Sequence, residues 1–155
     1  MLKYVETKEV FAEIPDEITL AISISGCPVH CPGCHSKYLW ADVGEELTEE
    51  VLATLFEQHR GVTCICFMGG DNDPAEVDRL AQWVKENSTL KTAWYSGRDE
   101  HSPQVNLRHL DYLKIGRYDA EAGPLNQKST NQILWRVNHD GSNDQLTDIT
   151  HRFWK

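Results

Sequence analysis

Ile18-Thr19-Leu20-Ala21-Ile22-Ser23-Ile24-Ser25 runs directly into Gly26-Cys27-Pro28-Val29-His30-Cys31-Pro32-Gly33-Cys34-His35. The first half alternates bulky apolar residues with small ones, the pattern of a strand whose two faces differ. Its apolar side can pack on helices, while Ala21, Ser23 and Ser25 leave room on the other, as a face that receives a cofactor requires. The second half is a CxxxCxxC run. Three thiolates within eight residues can hold three irons of a [4Fe-4S] cube, because each corner takes one soft sulfur ligand and the loop can wrap the cluster. The fourth iron then stays open to a small molecule, which suits a catalytic cluster better than one that only passes electrons.

Other chemistries compete for the same cysteines. A structural zinc site takes four ligands, and His30 or His35 can supply the fourth, but zinc folds normally pair two ligand knuckles a dozen or more residues apart and no second knuckle follows. A secreted disulfide scaffold fits worse. Met1-Leu2-Lys3-Tyr4-Val5-Glu6 has no apolar signal core and five cysteines leave one unpaired, so the thiols are expected to be reduced and the protein cytoplasmic. Three loop cysteines without any metal are the remaining reading.

The 155 residues form one expected domain spanning 1–155, with an ordinary globular hydrophobic content of 40%. No run is long enough for a membrane span. With 15 Lys and Arg against 24 Asp and Glu, a nucleic-acid backbone is disfavoured as the main partner, since phosphate binding calls for an excess of cations.

Beyond the cysteines the chain alternates helix and strand. A helix is expected from about Thr48 to near Gly61, with Glu49 and Glu50 in its first turn and Val51, Leu52, Leu55 and Phe56 on one side. Val62 to Met68 reads as a strand closed by Gly69-Gly70-Asp71. A second helix follows, with Asp73 as cap, Pro74 in the first position, Glu76 completing a capping box, and Val77, Leu80, Ala81 and Val84 as the apolar stripe. Lys91 to Tyr95 is a strand ending at Ser96-Gly97. After a short helix around Gln104 to His109, Tyr112 to Ile115 is a strand ending at Gly116, and Gln132 to Val137 is a fifth. Asn138 to Asp144 is polar enough to be a loop.

Strands separated by helix-length segments imply parallel βα units. The cysteines, Gly69-Gly70-Asp71, Ser96-Gly97 and Gly116-Arg117 each follow a strand and so share the carboxyl edge of one sheet, where α/β folds place their sites. A closed eight-stranded barrel needs roughly 200 residues or more. The expected fold is therefore α/β, a partial β/α barrel of about five parallel strands, open on one side to a large substrate.

CxxxCxxC after the first strand and a Gly-Gly-acid turn after the second resemble the leading motifs of the radical S-adenosylmethionine (SAM) enzymes. Gly26 to Ser36 with Trp40, Tyr95-Ser96-Gly97, Gly123-Pro124-Leu125 and Thr130-Asn131-Gln132 resemble, more narrowly, the activating proteins of anaerobic ribonucleoside-triphosphate reductases. The resemblance covers nearly the whole chain. It implies a [4Fe-4S] cluster on Cys27, Cys31 and Cys34 whose open iron chelates the methionine part of SAM, with Gly69 and Gly70 admitting close backbone approach. Asp71 would pair with the SAM ammonium group, the Gly33 backbone and His35 would lie near the adenine, and Ser96 would meet the ribose or carboxylate. Most of the superfamily carries an aromatic residue before the third cysteine, where Gly33 stands here. The second motif often continues with proline straight after the acid, but Asn72 and Asp73 intervene before Pro74, so either Asp71 or Asp73 can be the functional acid, and Asp71 is preferred because Asp73 has a capping role.

The implied activity is reductive cleavage of SAM to a 5′-deoxyadenosyl radical, which takes a hydrogen from a glycine of the large reductase subunit and leaves a glycyl radical there. Implied partners are that reductase and a low-potential electron donor such as flavodoxin or ferredoxin, with neither nucleic acid nor membrane. A radical SAM enzyme acting on another protein or a small molecule, and a non-catalytic zinc-binding module, are the alternatives. Cys64 and Cys66 read as buried packing residues. His59, His101, His109, His139 and His151 show no ligand spacing. Trp135, Phe153 and Trp154 either anchor the tail on the core or form part of a docking surface.

Overall fold

The computed structural model describes residues 2–11, 14, 17–25, 44–98, 100, 102–116, 122, 125, 128, 130–140 and 143–153. Strands β1 (Lys3–Val10), β2 (Thr19–Ile24), β3 (Glu45–Glu46), β4 (Cys64–Met68), β5 (Lys91–Tyr95), β6 (Tyr112–Ile115), β7 (Ile133–Asp140) and β8 (Asn143–Asp148) form one mixed sheet in the order β3-β1-β2-β4-β5-β6-β7-β8. The four central strands β2, β4, β5 and β6 are parallel. On either side the sheet turns antiparallel, through β1 and β3 at one end and β7 and β8 at the other.

Helix α1 (Glu49–Gln58) starts where expected, with the Thr48 hydroxyl accepting the Val51 N–H at 3.2 Å and Leu52 and Leu55 buried. Helix α2 (Pro74–Asn87) buries Val77, Leu80, Ala81 and Val84. Asp73 occupies its N-cap, yet its side chain makes no capping hydrogen bond. Glu76 does not complete a capping box but pairs with Arg79, which also reaches Glu49 at 2.7 Å and so ties α2 to α1. Phe56 and Trp83 stack between the helices at 5.8 Å. The short helix expected around Gln104 to His109 is a single 3-10 turn, Leu107–His109, capped by Asn106.

Pleating divides the sheet into two faces. One carries Leu20, Ile22, Ile65, Phe67, Trp94 and Leu113 into the main core with both helices. On the other, in-register rows run Ala21, Cys66, Ala93, Tyr112 and then Ser23, Met68, Tyr95, Lys114. A smaller cluster of Ile14, Cys64, Cys66, Ala93, Tyr112, Leu134 and Ile149 packs there.

Two further expectations need correction, and one strand was not foreseen. The fifth strand is antiparallel to β6, so the parallel set numbers four among the described strands. Asn138 to Asp144 is not a loop throughout, because β7 continues to Asp140 and β8 begins at Asn143. The largely polar β8 pairs with β7 from Asp148 back to Asn143, and backbone hydrogen bonding holds such an edge hairpin where apolar burial does not. Finally, β1 joins the sheet although the sequence reading gave it no element, since its residues are only half-buried or exposed and lack a clean alternation.

Candidate active site

Because β2, β4, β5 and β6 are parallel, their carboxyl ends open on one edge, and the described residues that follow β4, β5 and β6 there adopt conformations that their sequence dictates. After β4, Gly69 and Gly70 both take positive φ, 110° and 91°. A Cβ on Gly69 would lie 3.0 Å from the Ile24 carbonyl oxygen, and one on Gly70 would lie 2.6 Å from Val77 Cγ2. Backbone conformation and packing thus both demand glycine here. The turn is held by the Gly69 N–H donating to the Tyr95 carbonyl at 3.0 Å, by the Trp94 indole N–H donating to the Gly69 carbonyl at 2.6 Å, and by the Asp73 N–H donating to the Gly70 carbonyl at 3.0 Å.

Asp71 is buried on this turn. Its Oδ1 accepts the Ser96 hydroxyl at 2.5 Å and its Oδ2 the Gly97 N–H at 2.8 Å. The structure therefore brings Asp71 and Ser96 together, and Asp73 stands half-buried at the head of α2.

The β6 turn joins the same edge. The Ser96 N–H donates to the Lys114 carbonyl at 2.9 Å, and the Gly116 N–H donates to the Arg98 carbonyl at 2.7 Å. Gly116 also has positive φ, 109°, and its Cβ would lie 2.8 Å from Gln132 Cα. Its carbonyl accepts from Lys114 Nζ at 3.1 Å and from Gln132 Nε2 at 3.4 Å. Lys114 is buried, with its ammonium 5.4 Å from the centre of the Tyr95 ring, a cation–π contact. Lys114, Tyr95 and Gln132 thus belong to this edge. Lys114 carries a signal that sequence reading missed, since a lysine inside the short apolar run Tyr112-Leu113-Lys114-Ile115 needs a buried partner.

Cys27, Cys31, Cys34, Gly33 and His35 lie outside the described residues, as do Trp40, Arg117, Gly123, Pro124, His101 and Trp154. Ser25, the last described residue before the cysteines, follows β2 and is buried, its N–H donating to the Lys3 carbonyl at 3.0 Å. Leu125, like Met68 and Tyr95, packs against the smaller cluster on the second face.

The two other thiols lie in β4. Cys64 and Cys66 are fully buried, and burial, reinforced by the Glu17 carboxylate, pushes the Cys64 thiol far above its ordinary range. Among the described residues no group of three or more His, Cys, Asp or Glu could hold a metal ion. His59 instead meets Glu9 at 3.3 Å and His109 meets Asp78 at 2.7 Å. The cysteines of the loop, which the sequence reading expects to carry the metal, lie outside the described residues, and thiolates are soft ligands suited to iron and sulfide.

Among the described residues no helix is long and apolar enough to cross a membrane. No curated protein and no solved structure matches the chain. The model of the 4Fe-4S single cluster domain matches residues 18–137, from the start of the β2 segment past the cysteines and the edge turns into β7, and by it the chain belongs to that family.

Proposed function

We propose that this protein is a radical SAM enzyme of the glycyl-radical activase type, acting on an anaerobic ribonucleoside-triphosphate reductase. The observation that carries the reading is the gathering of the β4 glycine turn, the Ser96-Gly97 turn and the β6 turn on the edge from which the CxxxCxxC loop departs, in a chain whose family binds a single 4Fe-4S cluster.

In this reading Cys27, Cys31 and Cys34 hold the cluster and leave one iron open. When bound, the cluster with SAM supplies one-electron reductive cleavage of a carbon–sulfur bond, and with it a primary carbon radical able to take hydrogen from a glycine α-carbon. The chain's own work is placement and exclusion. Gly69 and Gly70 present side-chain-free backbone to the methionine part, Gly33 and His35 stand near the adenine, and Asp71 and Ser96 frame the turn beside them. Ala21 and Ser23 keep the second face of the sheet shallow enough to receive a ligand, and the helices bury the opposite face against water. The sheet is read as an incomplete barrel whose open side admits the partner's glycine loop.

The test is anaerobic reconstitution with iron and sulfide, followed by electron paramagnetic resonance with and without SAM, a 5′-deoxyadenosine assay, and a search for a glycyl radical signal in the purified reductase. A cluster signal perturbed by SAM, with 5′-deoxyadenosine and a glycyl radical, is expected. SAM cleavage without a radical in the reductase would move the substrate to another protein or a small molecule. A colourless protein with stoichiometric zinc would replace the catalytic reading with a binding module.

A further inference from the structure

An acid after a glycine pair invites assignment as the partner of a ligand's ammonium group, yet Asp71 is only 4% exposed and Ser96 1%. Both Asp71 oxygens already accept hydrogen bonds from the β5 turn, the Ser96 hydroxyl at 2.5 Å and the Gly97 N–H at 2.8 Å. Ser96 is engaged as well, its hydroxyl oxygen accepting the Arg98 N–H at 3.2 Å while its own N–H goes to the Lys114 carbonyl at 2.9 Å. The chain runs from the β4 turn through Asp71 to Ser96, and from there to β6.

We infer that Asp71 is a positioning residue, a clamp that locks the Ser96-Gly97 turn onto the Gly69-Gly70 turn, and that SAM meets the backbone of the locked pair instead of the carboxylate. The inference rests on the radical SAM reading and assigns the contacts of this edge to main chain. Two consecutive glycines at positive φ leave the β4 turn with more backbone freedom than any other residue pair would. The Gly69–Tyr95 and Trp94–Gly69 hydrogen bonds fix its first residue. Asp71 fixes its far side, and a two-point acceptor does this better than a hydroxyl because one rigid carboxylate plane orients two donors at once.

The experiment compares wild type, Asp71→Asn, Ser96→Ala and the double variant as full chains. Amide hydrogen exchange at Gly97 and Arg98 is followed in the protein without SAM. After anaerobic cluster reconstitution, dissociation constants are measured for SAM and for its deamino analogue, which lacks the ammonium group. In Asp71→Asn, exchange at Gly97 should accelerate about tenfold and both dissociation constants should rise by a similar factor of about ten, the scale of one lost hydrogen bond to a buried acceptor. The double variant should lose less than the product of the single losses, because both substitutions open one clamp. A loss seen with SAM but absent with the deamino analogue would overturn the inference and make Asp71 a direct ammonium ligand. A lower melting temperature with unchanged dissociation constants would reduce Asp71 to a structural acid and overturn it too. If wild type binds no SAM, the radical SAM reading falls while exchange at Gly97 still decides the clamp, acceleration upholding it and unchanged exchange overturning it. Ser96→Ala carries the same exchange measurement should Asp71→Asn fail to fold.

Discussion

Gly70 has a φ of 91° and no room for a side chain, since a Cβ would meet Val77 Cγ2 at 2.6 Å. Gly70→Ala should destabilise the protein by about 2–4 kcal/mol, combining left-handed backbone strain of about 1–2 kcal/mol with overpacking of a similar size. Urea denaturation measures the loss. Gly61 provides the control, because nothing lies within 4 Å of its would-be Cβ, and Gly61→Ala should fall within about 0.5 kcal/mol of wild type. Val77→Ala should couple favourably to Gly70→Ala by opening the space the new methyl needs, and strictly additive effects would disprove the packing argument. The glycine pair was legible in the sequence as a turn after a strand. Its packing reason was not, because Val77 comes from a helix that only the fold lays across the turn. The same holds for Asp71 and Ser96, which the sequence offers as separate candidates and the sheet makes hydrogen-bonded neighbours.

At the amino ends of the parallel strands, one network joins elements that the sequence keeps far apart. Glu17, from the segment between β1 and β2, is buried and accepts from Thr63 Oγ1 at 2.7 Å, Lys91 Nζ at 2.8 Å and the Tyr112 hydroxyl at 2.8 Å. Burial, followed by the bond to Glu17, pushes the Tyr112 phenol well above its usual 10.0, and burial with the Glu17 charge pushes the Cys64 thiol up from 9.0. Folded pKa values above the unfolded ones mean that the native state keeps protons the unfolded chain releases. The stabilisation is complete below pH 9 and declines as pH rises past 9 and 10. Tyr112→Phe should lower stability by about 1 kcal/mol at neutral pH through the lost donor to Glu17, and should flatten the decline above pH 10 because one titrating group is gone. Denaturation midpoints from pH 7 to 11 check both, and an unchanged alkaline slope would contradict the sign. Helices α1 and α2 were readable from their apolar stripes and first-turn residues. The direction of β7 was not, because a strand's periodicity carries no direction and the segment between Gly116 and Ile133 is as long as a crossover.

The whole molecule divides its labour between the two ends of its parallel strands. The amino edge is sealed by Glu17, Lys91 and Tyr112, while the carboxyl edge carries the glycine turns and the exit of the cysteine loop. Sequence reading reached the second half of this division because each motif sits just after an apolar run, and missed the first because Glu17, Thr63, Lys91 and Tyr112 form no motif and meet only through strand register. A group bound at the carboxyl edge stabilises the native state by mass action, most strongly where local opening would release it. Cluster loading should therefore slow amide exchange at Asp71, Ser96 and Gly97 by about tenfold or more, while Gln58 and His59 at the end of α1, ahead of β4, which open locally without releasing the cluster, exchange as in the apoprotein. Cys27→Ser/Cys31→Ser/Cys34→Ser, carried through the same reconstitution, should show no such slowing. Equal protection at both edges on loading would mean that the cluster stabilises the fold as a unit, and would remove the ground for placing the chemistry at one end of the sheet.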